Sequence, residues 1–297
     1  MLKIKTTSLI FVIFSFYAAT SISQSLFQPN VIFGDDNRQE MYSTSPFWQQ
    51  IGQGIAGKVS NEHIQTSGSD YTLSGTELNR RVCPTNKFAD QITVPSCSGF
   101  LATPTHLITA GHCIKSQADC DNYTWVFGYQ KQNETDKQYT QIKRDQVYRC
   151  KKIQSRKFEN FGATDYAIIE LDRPVENRQP LQLGFDTVPY PGMQVTSMGH
   201  PLGLPMKFID GASVIQLVDN NLTIATDLDA FQGNSGSPVF DATTGVVIGI
   251  TSHGHADHIR DPEKNCKIVR VCMPGDNCHL SANSSITNLS GEDVLKK

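Results

Sequence analysis

The chain has 297 residues, enough for one or two domains with a sizeable core. A net charge of -3 and a hydrophobic fraction of 38% argue against a polyanion-binding surface and against intrinsic disorder. The composition is therefore that of an ordinary globular protein.

The first residues predict a secretory signal peptide over residues 1–23. Lys3 and Lys5 precede a short apolar run, and small residues follow that run. Such a run is too short to span a bilayer comfortably, although an uncleaved anchor is the alternative. Nothing later in the sequence is apolar enough to cross a membrane. We therefore expect a secreted protein, extracellular or periplasmic.

Residues 24–79 are predicted to form a short propeptide and a loose N-terminal lead-in, because residues 51–80 are rich in Gly, Ser and Thr. Val31 is a candidate for a new amino terminus exposed by zymogen cleavage, which makes residues 24–30 the propeptide. The alternative is a mature chain that starts near Gln24.

Short β-branched or aromatic runs continue from about Val82 to Ile250 and are separated by Gly, Pro, Asn and Asp clusters. No long helical pattern interrupts them. The sequence therefore predicts an all-β sandwich or barrel.

Eight cysteines in an exported chain favour disulfide bonds. Cys97 and Cys113 enclose a strand, a turn and a second strand, and a bond between them clamps the backbone beside His112. Cys120 and Cys150 can close a second loop. Three pairings remain open among the other four cysteines, which are Cys83, Cys266, Cys272 and Cys278.

Three segments carry the chemistry of a nucleophilic hydroxyl. Ser235 lies at the centre of the turn Gly233–Pro238, and the sequence supplies His112 and Asp165 upstream of it. A serine hydroxyl is a poor nucleophile until an imidazole takes its proton, and a carboxylate fixes that imidazole's tautomer. The chain offers all three groups in the order His, Asp, Ser.

These segments resemble the motifs of the chymotrypsin-like (trypsin-like) serine peptidases. Thr109–Cys113 resembles the histidine motif, Asp165–Ile169 the aspartate motif and Gly233–Pro238 the serine motif. Two departures from animal trypsins, Asn234 in place of an Asp and Gly111 before the histidine, are similar to the bacterial glutamyl-endopeptidase-like branch. The stretch from Val31 to Arg38 also resembles the mature amino terminus of that branch.

The resemblance implies two packed six-stranded antiparallel β-barrels with the active site at their interface. We expect the first barrel over 80–185 and the second over 186–275, with a crossover near residues 180–192. Residues 276–297 are expected to form a polar C-terminal tail.

The resemblance also implies the catalytic roles. Ser235 attacks the scissile carbonyl, His112 accepts and returns the proton, and Asp165 orients the imidazole. The backbone N–H groups of Gly233 and Ser235 form the oxyanion hole, for which a glycine suits the backbone conformation.

Substrate preference is expected to be for cleavage after Arg or Lys, with cleavage after Glu as the alternative. Asp229 lies six residues before Ser235, the position that forms the base of the specificity pocket in trypsins. The competing interpretation is a solvated loop carboxylate. The resemblance implies further pocket contacts from the strand residues Thr251, Ser252, His253 and Gly254.

Two rival classes stay open. His253, His255 and His258 have a His-x-His-x-x-His spacing that can chelate zinc or copper, and an intact-looking homologue can lack activity. For a peptidase we expect protein or peptide substrates, no cofactor, no metal, no nucleic-acid partner, no membrane attachment after signal cleavage, and a monomer.

Overall fold

The structure is a computed structural model and describes residues 32–159, 164–253, 257–261, 263–269, 271–272 and 280–289. The predicted signal peptide and Val31 lie outside the described residues, as do Gly254, His255 and Cys278.

The described chain is mostly β-structure, in agreement with the pattern of short punctuated runs. Its strands in chain order are β1 (Ile32–Phe33), β2 (Arg38–Glu40), β3 (Ile55–Ser60), β4 (Ile64–Ser67), β5 (Asp70–Leu73), β6 (Thr76–Glu77), β7 (Ile92–Thr93), β8 (Cys97–Thr103), β9 (His106–Thr109), β10 (Tyr123–Phe127), β11 (Gln141–Ile142), β12 (Val147–Phe158), β13 (Asp165–Leu171), β14 (Gln194–Gly199), β15 (Lys207–Val218), β16 (Thr223–Thr226), β17 (Pro238–Asp241), β18 (Val247–His253), β19 (His258–Arg260), β20 (Lys267–Val269), β21 (Val271–Cys272) and β22 (Ser281–Ser285).

Helices are few and short. The α-helices are α1 (Pro46–Gly52) and α2 (Gln117–Asn122), and single 3-10 turns occupy Met41–Ser43, Asn61–His63, Leu78–Arg80, Gly111–Cys113, Arg144–Gln146, Pro201–Gly203 and Ile286–Asn288. In the part of the chain that the structure describes, no helix is long and apolar enough to serve as a membrane span.

The first barrel closes through β3, β8, β9, β13, β12 and β10. The barrel begins at Ile55, upstream of the boundary expected at residue 80. The sequence did not indicate β3 because this strand lies in a stretch rich in Gly, Ser and Thr that shows little hydrophobic periodicity. In β13, Ala167 and Ile169 face the barrel interior while Tyr166 and Ile168 pack in the cluster that joins the two barrels. Strands buried on both faces lose the usual apolar and polar alternation, which explains the continuous apolar run here.

The second barrel contains β14, β17, β18, β22, β16 and β15 and closes through pairing of β14 with β15. Strand β22 lies in the segment expected to be a C-terminal tail. It carries no large apolar residue, so the sequence gives no strand signal; its buried Asn283 instead satisfies the Ile224 carbonyl at 3.0 Å. The predicted fold of two six-stranded antiparallel barrels is confirmed.

Disulfides fix the loops around the first barrel. The predicted bonds Cys97–Cys113 and Cys120–Cys150 are both present. Of the pairings left open, Cys83 bonds to Cys266 across 183 residues, and Cys272 is also disulfide-bonded.

Candidate active site

The histidine and the aspartate meet at one end of β13. Strand β13 pairs antiparallel with β9, with Ala167 opposite Thr109, and this register brings Asp165 beside the turn that carries His112. The His112 backbone N–H donates to Asp165 Oδ1 at 2.9 Å, and His112 Nδ1 lies 2.7 Å from Asp165 Oδ2. A carboxylate accepts, so Nδ1 is the donor, and in the neutral imidazole Nε2 is then the acceptor.

Asp165 itself is fully buried, whereas the His112 side chain remains 29% exposed. The Asp165 N–H donates to the Ser284 hydroxyl at 3.0 Å, and Ser284 is linked to Ser252 at 2.9 Å. Ser284 and Ser252 belong to β22 and β18 of the second barrel, so the carboxylate is held at the interface of the two barrels.

Steric crowding explains why position 111 holds a glycine, which departs from the trypsin motif. A Cβ at this position would lie 2.3 Å from the Lys157 carbonyl oxygen and 3.1 Å from Asp165 Oδ1. Only a glycine allows the histidine turn to come this close to β12 and the carboxylate. Arg156 completes the support by donating from Nε to the Gly111 carbonyl at 2.7 Å.

Ser98 in β8 holds the turn that carries Ser235. Its backbone N–H donates to the Ser235 carbonyl at 2.8 Å, and its hydroxyl donates to the Gly233 carbonyl at 2.8 Å. The neighbouring Cys97 is bonded to Cys113, whose sulfur lies 3.6 Å from the Ser235 carbonyl oxygen. One strand of the first barrel therefore brings the serine turn and the histidine turn together.

The peptide between Gln232 and Gly233 has a defined orientation. The Gln232 carbonyl accepts a hydrogen bond from the Leu202 N–H at 2.5 Å. Because the C=O and N–H of a trans peptide point in opposite directions, the Gly233 N–H points away from Leu202. Gly233 has a φ of 96°, a conformation that favours glycine.

The oxyanion hole formed by Gly233 and Ser235 stays a prediction. Neither the Gly233 N–H nor the Ser235 N–H donates a hydrogen bond to any residue that the structure describes. Two backbone donors that point to one position beside a serine hydroxyl can stabilise an oxyanion that forms when that hydroxyl attacks a carbonyl.

Asp229 lies close to the serine turn but contacts the N-terminal segment. It is 2% exposed, and its two oxygens accept hydrogen bonds from the N–H groups of Phe33 at 2.9 Å and Asn37 at 3.0 Å. Burial raises the pKa of the Asp229 carboxyl to about 6. The Arg38 guanidinium reinforces this contact by packing over the Phe231 ring at 4.0 Å. That Asp229 receives a cationic substrate side chain stays a prediction.

The other predicted pocket residues fall into two groups. Thr251 and Ser252 are buried in β18 at 4% and 5% exposure, and the Thr251 carbonyl accepts from the Gly236 N–H at 2.7 Å, which ties the strand to the serine turn. His253 ends β18, and Gly254 lies outside the described residues. His255, the central residue of the predicted histidine cluster, lies outside them too.

Among the described residues, one group has potential metal-ligand atoms within 4.8 Å of one another, namely Cys97, His112 and Cys113. The two sulfurs are already joined in a disulfide, so they are not available as thiolate ligands.

Several supporting residues escaped the sequence analysis. Ser98 and Ser284 are serines in strands, and nothing local distinguishes them from solvent-facing ones. Lys58 in β3 is also unexpected: it is 5% exposed, its ammonium donates to the Cys113 carbonyl and lies 3.7 Å from the centre of the Tyr123 ring. Burial lowers the pKa of Lys58 to about 8.

Together, the two barrels and the His, Asp and Ser segments at their interface define a chymotrypsin-like serine peptidase fold. A family profile for the trypsin-like peptidase domain matches residues 97–250, more than half of the chain. The chain therefore belongs to the trypsin-like peptidase family.

Two solved structures support the fold at low sequence identity, and a third likeness is weaker. Human heparin binding protein superposes with a TM-score of 0.50 at 13% identity, covering 86% of this chain and 92% of that chain. A scabies mite inactivated protease paralogue gives a TM-score of 0.50 at 12% identity, covering 86% and 93%. A Glu endopeptidase gives 0.49 at 16% identity, covering 86% and 94%. Among curated proteins, no sequence matches significantly.

Proposed function

We propose that this chain is a secreted serine endopeptidase that hydrolyses peptide bonds through an acyl-enzyme on Ser235. The observation that carries the proposal is the paired contact of Asp165 with both the backbone and the Nδ1 of His112. That contact supports Nε2 as the base, and the bonds from Ser98 to the Gly233 and Ser235 carbonyls support a serine turn beside it.

In the first step, His112 Nε2 takes the Ser235 proton while Oγ bonds to the scissile carbonyl carbon. The carbonyl oxygen becomes an oxyanion and receives hydrogen bonds from the Gly233 and Ser235 N–H groups. The imidazolium, stabilised by Asp165, then donates its proton to the leaving amine as the C–N bond breaks. Water attacks the resulting acyl-enzyme by the same route and releases the acid.

The test compares purified exported protein with Ser235→Ala on a mixed library of peptides. We expect the substitution to lower kcat by about a millionfold and Asp165→Asn to lower it by about ten-thousandfold. A fluorophosphonate should label the wild type on Ser235, and a chelator should have little effect. Undiminished digestion by Ser235→Ala, or a folded wild type that neither digests nor takes the label, contradicts the proposal.

For the residue before the scissile bond, cleavage after Arg or Lys remains the proposal and cleavage after Glu the alternative. Hydrolysis of matched Arg, Lys and Glu peptide amides by the wild type and by Asp229→Ser separates them. If Asp229 pairs with a substrate cation, Asp229→Ser should selectively lose the Arg and Lys substrates. If its role is the contact with Phe33 and Asn37, all three substrates should suffer alike.

The docked N-terminal segment supports activation by cleavage before Val31. Ile32 pairs in parallel with Val271, and Phe33 and Asn37 are bound by Asp229, so a terminus created at Val31 would begin one residue before this contact. The three mapped disulfides fit an oxidising compartment. Amino-terminal sequencing of exported, active protein distinguishes a start at Val31 from one near Gln24.

A further inference from the structure

A cleft of about 350 Å³ opens beside Gly233. This volume lies within the range of roughly 300–1,000 Å³ that is typical of ligand sites. The residues that matter for its chemistry and position are Arg81, His63, Pro95, Ser96, Gln232 and Gly233.

The residues around the cleft indicate the leaving-group side of the proposed scissile bond. Pro95 and Ser96 come directly before Cys97, whose disulfide partner Cys113 follows His112. Because the imidazole delivers its proton to the leaving amine, the departing part of the substrate passes this disulfide-bonded corner. The strand β18, which is expected to line the pocket for the acyl part, contributes no residue to the cleft.

Arg81 gives the cleft its charge. The described residues that line it include no carboxylate, and Arg81 makes no ion pair within the described part of the chain. One guanidinium nitrogen, Nη2, donates to the Leu202 carbonyl at 2.6 Å. The N–H of Leu202 in turn donates to the Gln232 carbonyl, so the guanidinium is held near the peptide between Gln232 and Gly233.

The neighbouring acidic groups leave the Arg81 guanidinium available to bind an anion. Asp257 attracts Arg81 but accepts the Gln232 N–H on both of its oxygens, at 3.1 Å each. Burial lowers the pKa of Arg81 from its usual value, yet an arginine stays protonated at any physiological pH. His63 on the cleft wall has its nearest acid, Glu62, at 3.8 Å.

We propose that this cleft binds a carboxylate side chain of the substrate, so that peptides with Asp or Glu in the first three positions after the scissile bond are preferred. Arg81 is the specificity-determining residue, since a guanidinium receives a carboxylate through charge-assisted, bidentate hydrogen bonds. This inference rests on the proposed peptidase activity and adds a second recognition site to it.

The experiment uses internally quenched peptides with one fixed acyl part and either Glu or Gln at each of the three positions that follow the cleaved bond. The kcat/KM ratio of the Glu peptide to the Gln peptide should reach about two- to fivefold at one position, the upper part of the range for an exposed charged contact. At about 1 M salt, where the Debye length is about 3 Å, that ratio should fall towards one. Rates are normalised to a substrate with a dye as the leaving group, which carries no residue for the cleft.

Three variants isolate the charge of Arg81. Arg81→Gln should abolish the Glu preference, and Arg81→Lys should retain part of it. Arg80→Gln removes an equal charge from the exposed neighbour, which does not line the cleft, and should leave the ratio as in the wild type.

Equal rates for the Glu and Gln peptides, or a Glu preference that survives in Arg81→Gln, overturns the inference. If Arg81→Gln does not fold, the wild-type ratio, its salt dependence and Arg81→Lys still decide. A failure to cleave any peptide refutes the proposed function instead, so the two failures are distinguishable.

Discussion

Replacing Gly233 with alanine should lower kcat by roughly a hundred- to a thousandfold while leaving most of the fold intact. The added Cβ would lie 2.3 Å from the His200 carbonyl oxygen, 3.1 Å from the Gly203 nitrogen and 3.3 Å from the Leu202 nitrogen. All three are backbone atoms, so no side-chain rotation relieves the overlap. The peptide that carries the Gly233 N–H must therefore rotate or shift.

The magnitude follows from two costs. A positive φ costs a residue with a Cβ about 1–2 kcal/mol, and this lowers the free energy of unfolding. The loss of one oxyanion donor removes about 3–4 kcal/mol of transition-state stabilisation, which is a drop of roughly a hundred- to a thousandfold in kcat. KM should change little, because the ground-state carbonyl depends less on that donor than the oxyanion does.

The assay measures kcat and KM on one peptide amide, together with urea unfolding. Gly192→Ala is the matched control, because Gly192 also has a positive φ, of 90°, but its Cβ would have no atom within 4 Å. We expect Gly192→Ala to lose about 1–2 kcal/mol of stability and to keep its kcat. A folded Gly233→Ala whose kcat stays within about threefold of the wild type would refute the assignment of this N–H to the oxyanion hole.

Two further outcomes follow from buried groups around the site. Ser98→Ala removes the hydroxyl that bonds to the Gly233 carbonyl at 2.8 Å and to the His200 N–H at 2.9 Å. The free energy of unfolding should fall by about 2–4 kcal/mol, and kcat should fall at least about tenfold. A substitution without effect on either quantity speaks against this bridge. Because the folded pKa of Asp229, about 6, lies above its usual 3.8, the folded state holds that proton more tightly. The stability of the wild type relative to Asp229→Asn should therefore decrease by about 2–3 kcal/mol as the pH rises from about 4 to about 6; a difference that does not vary with pH in urea titrations contradicts the raised pKa.

Much of the site could be read from the sequence because its parts are local. His112, Asp165 and Ser235 each lie in a short motif of their own, and the glycines around the serine and the pair Cys97 and Cys113 are also close in the chain. Short runs with turn residues between them also indicated an all-β fold, and the structure confirms two barrels. Strand β22 was missed because its buried positions hold Ser and Asn, so burial there is sustained by hydrogen bonds rather than by an apolar pattern.

The sequence by itself determined which groups can perform the chemistry and which fold class carries them. Only the tertiary structure decided how those groups are held. Ser98 contacts Gly233 across 135 residues, and Asp229 contacts Phe33 across 196. Contacts over such separations leave no periodicity in the chain, because they depend on strand register and barrel packing rather than on neighbouring residues. For the same reason, the sequence left Asp229 open between a pocket residue and a solvated loop carboxylate, and only the fold showed its contacts with the backbone of Phe33 and Asn37.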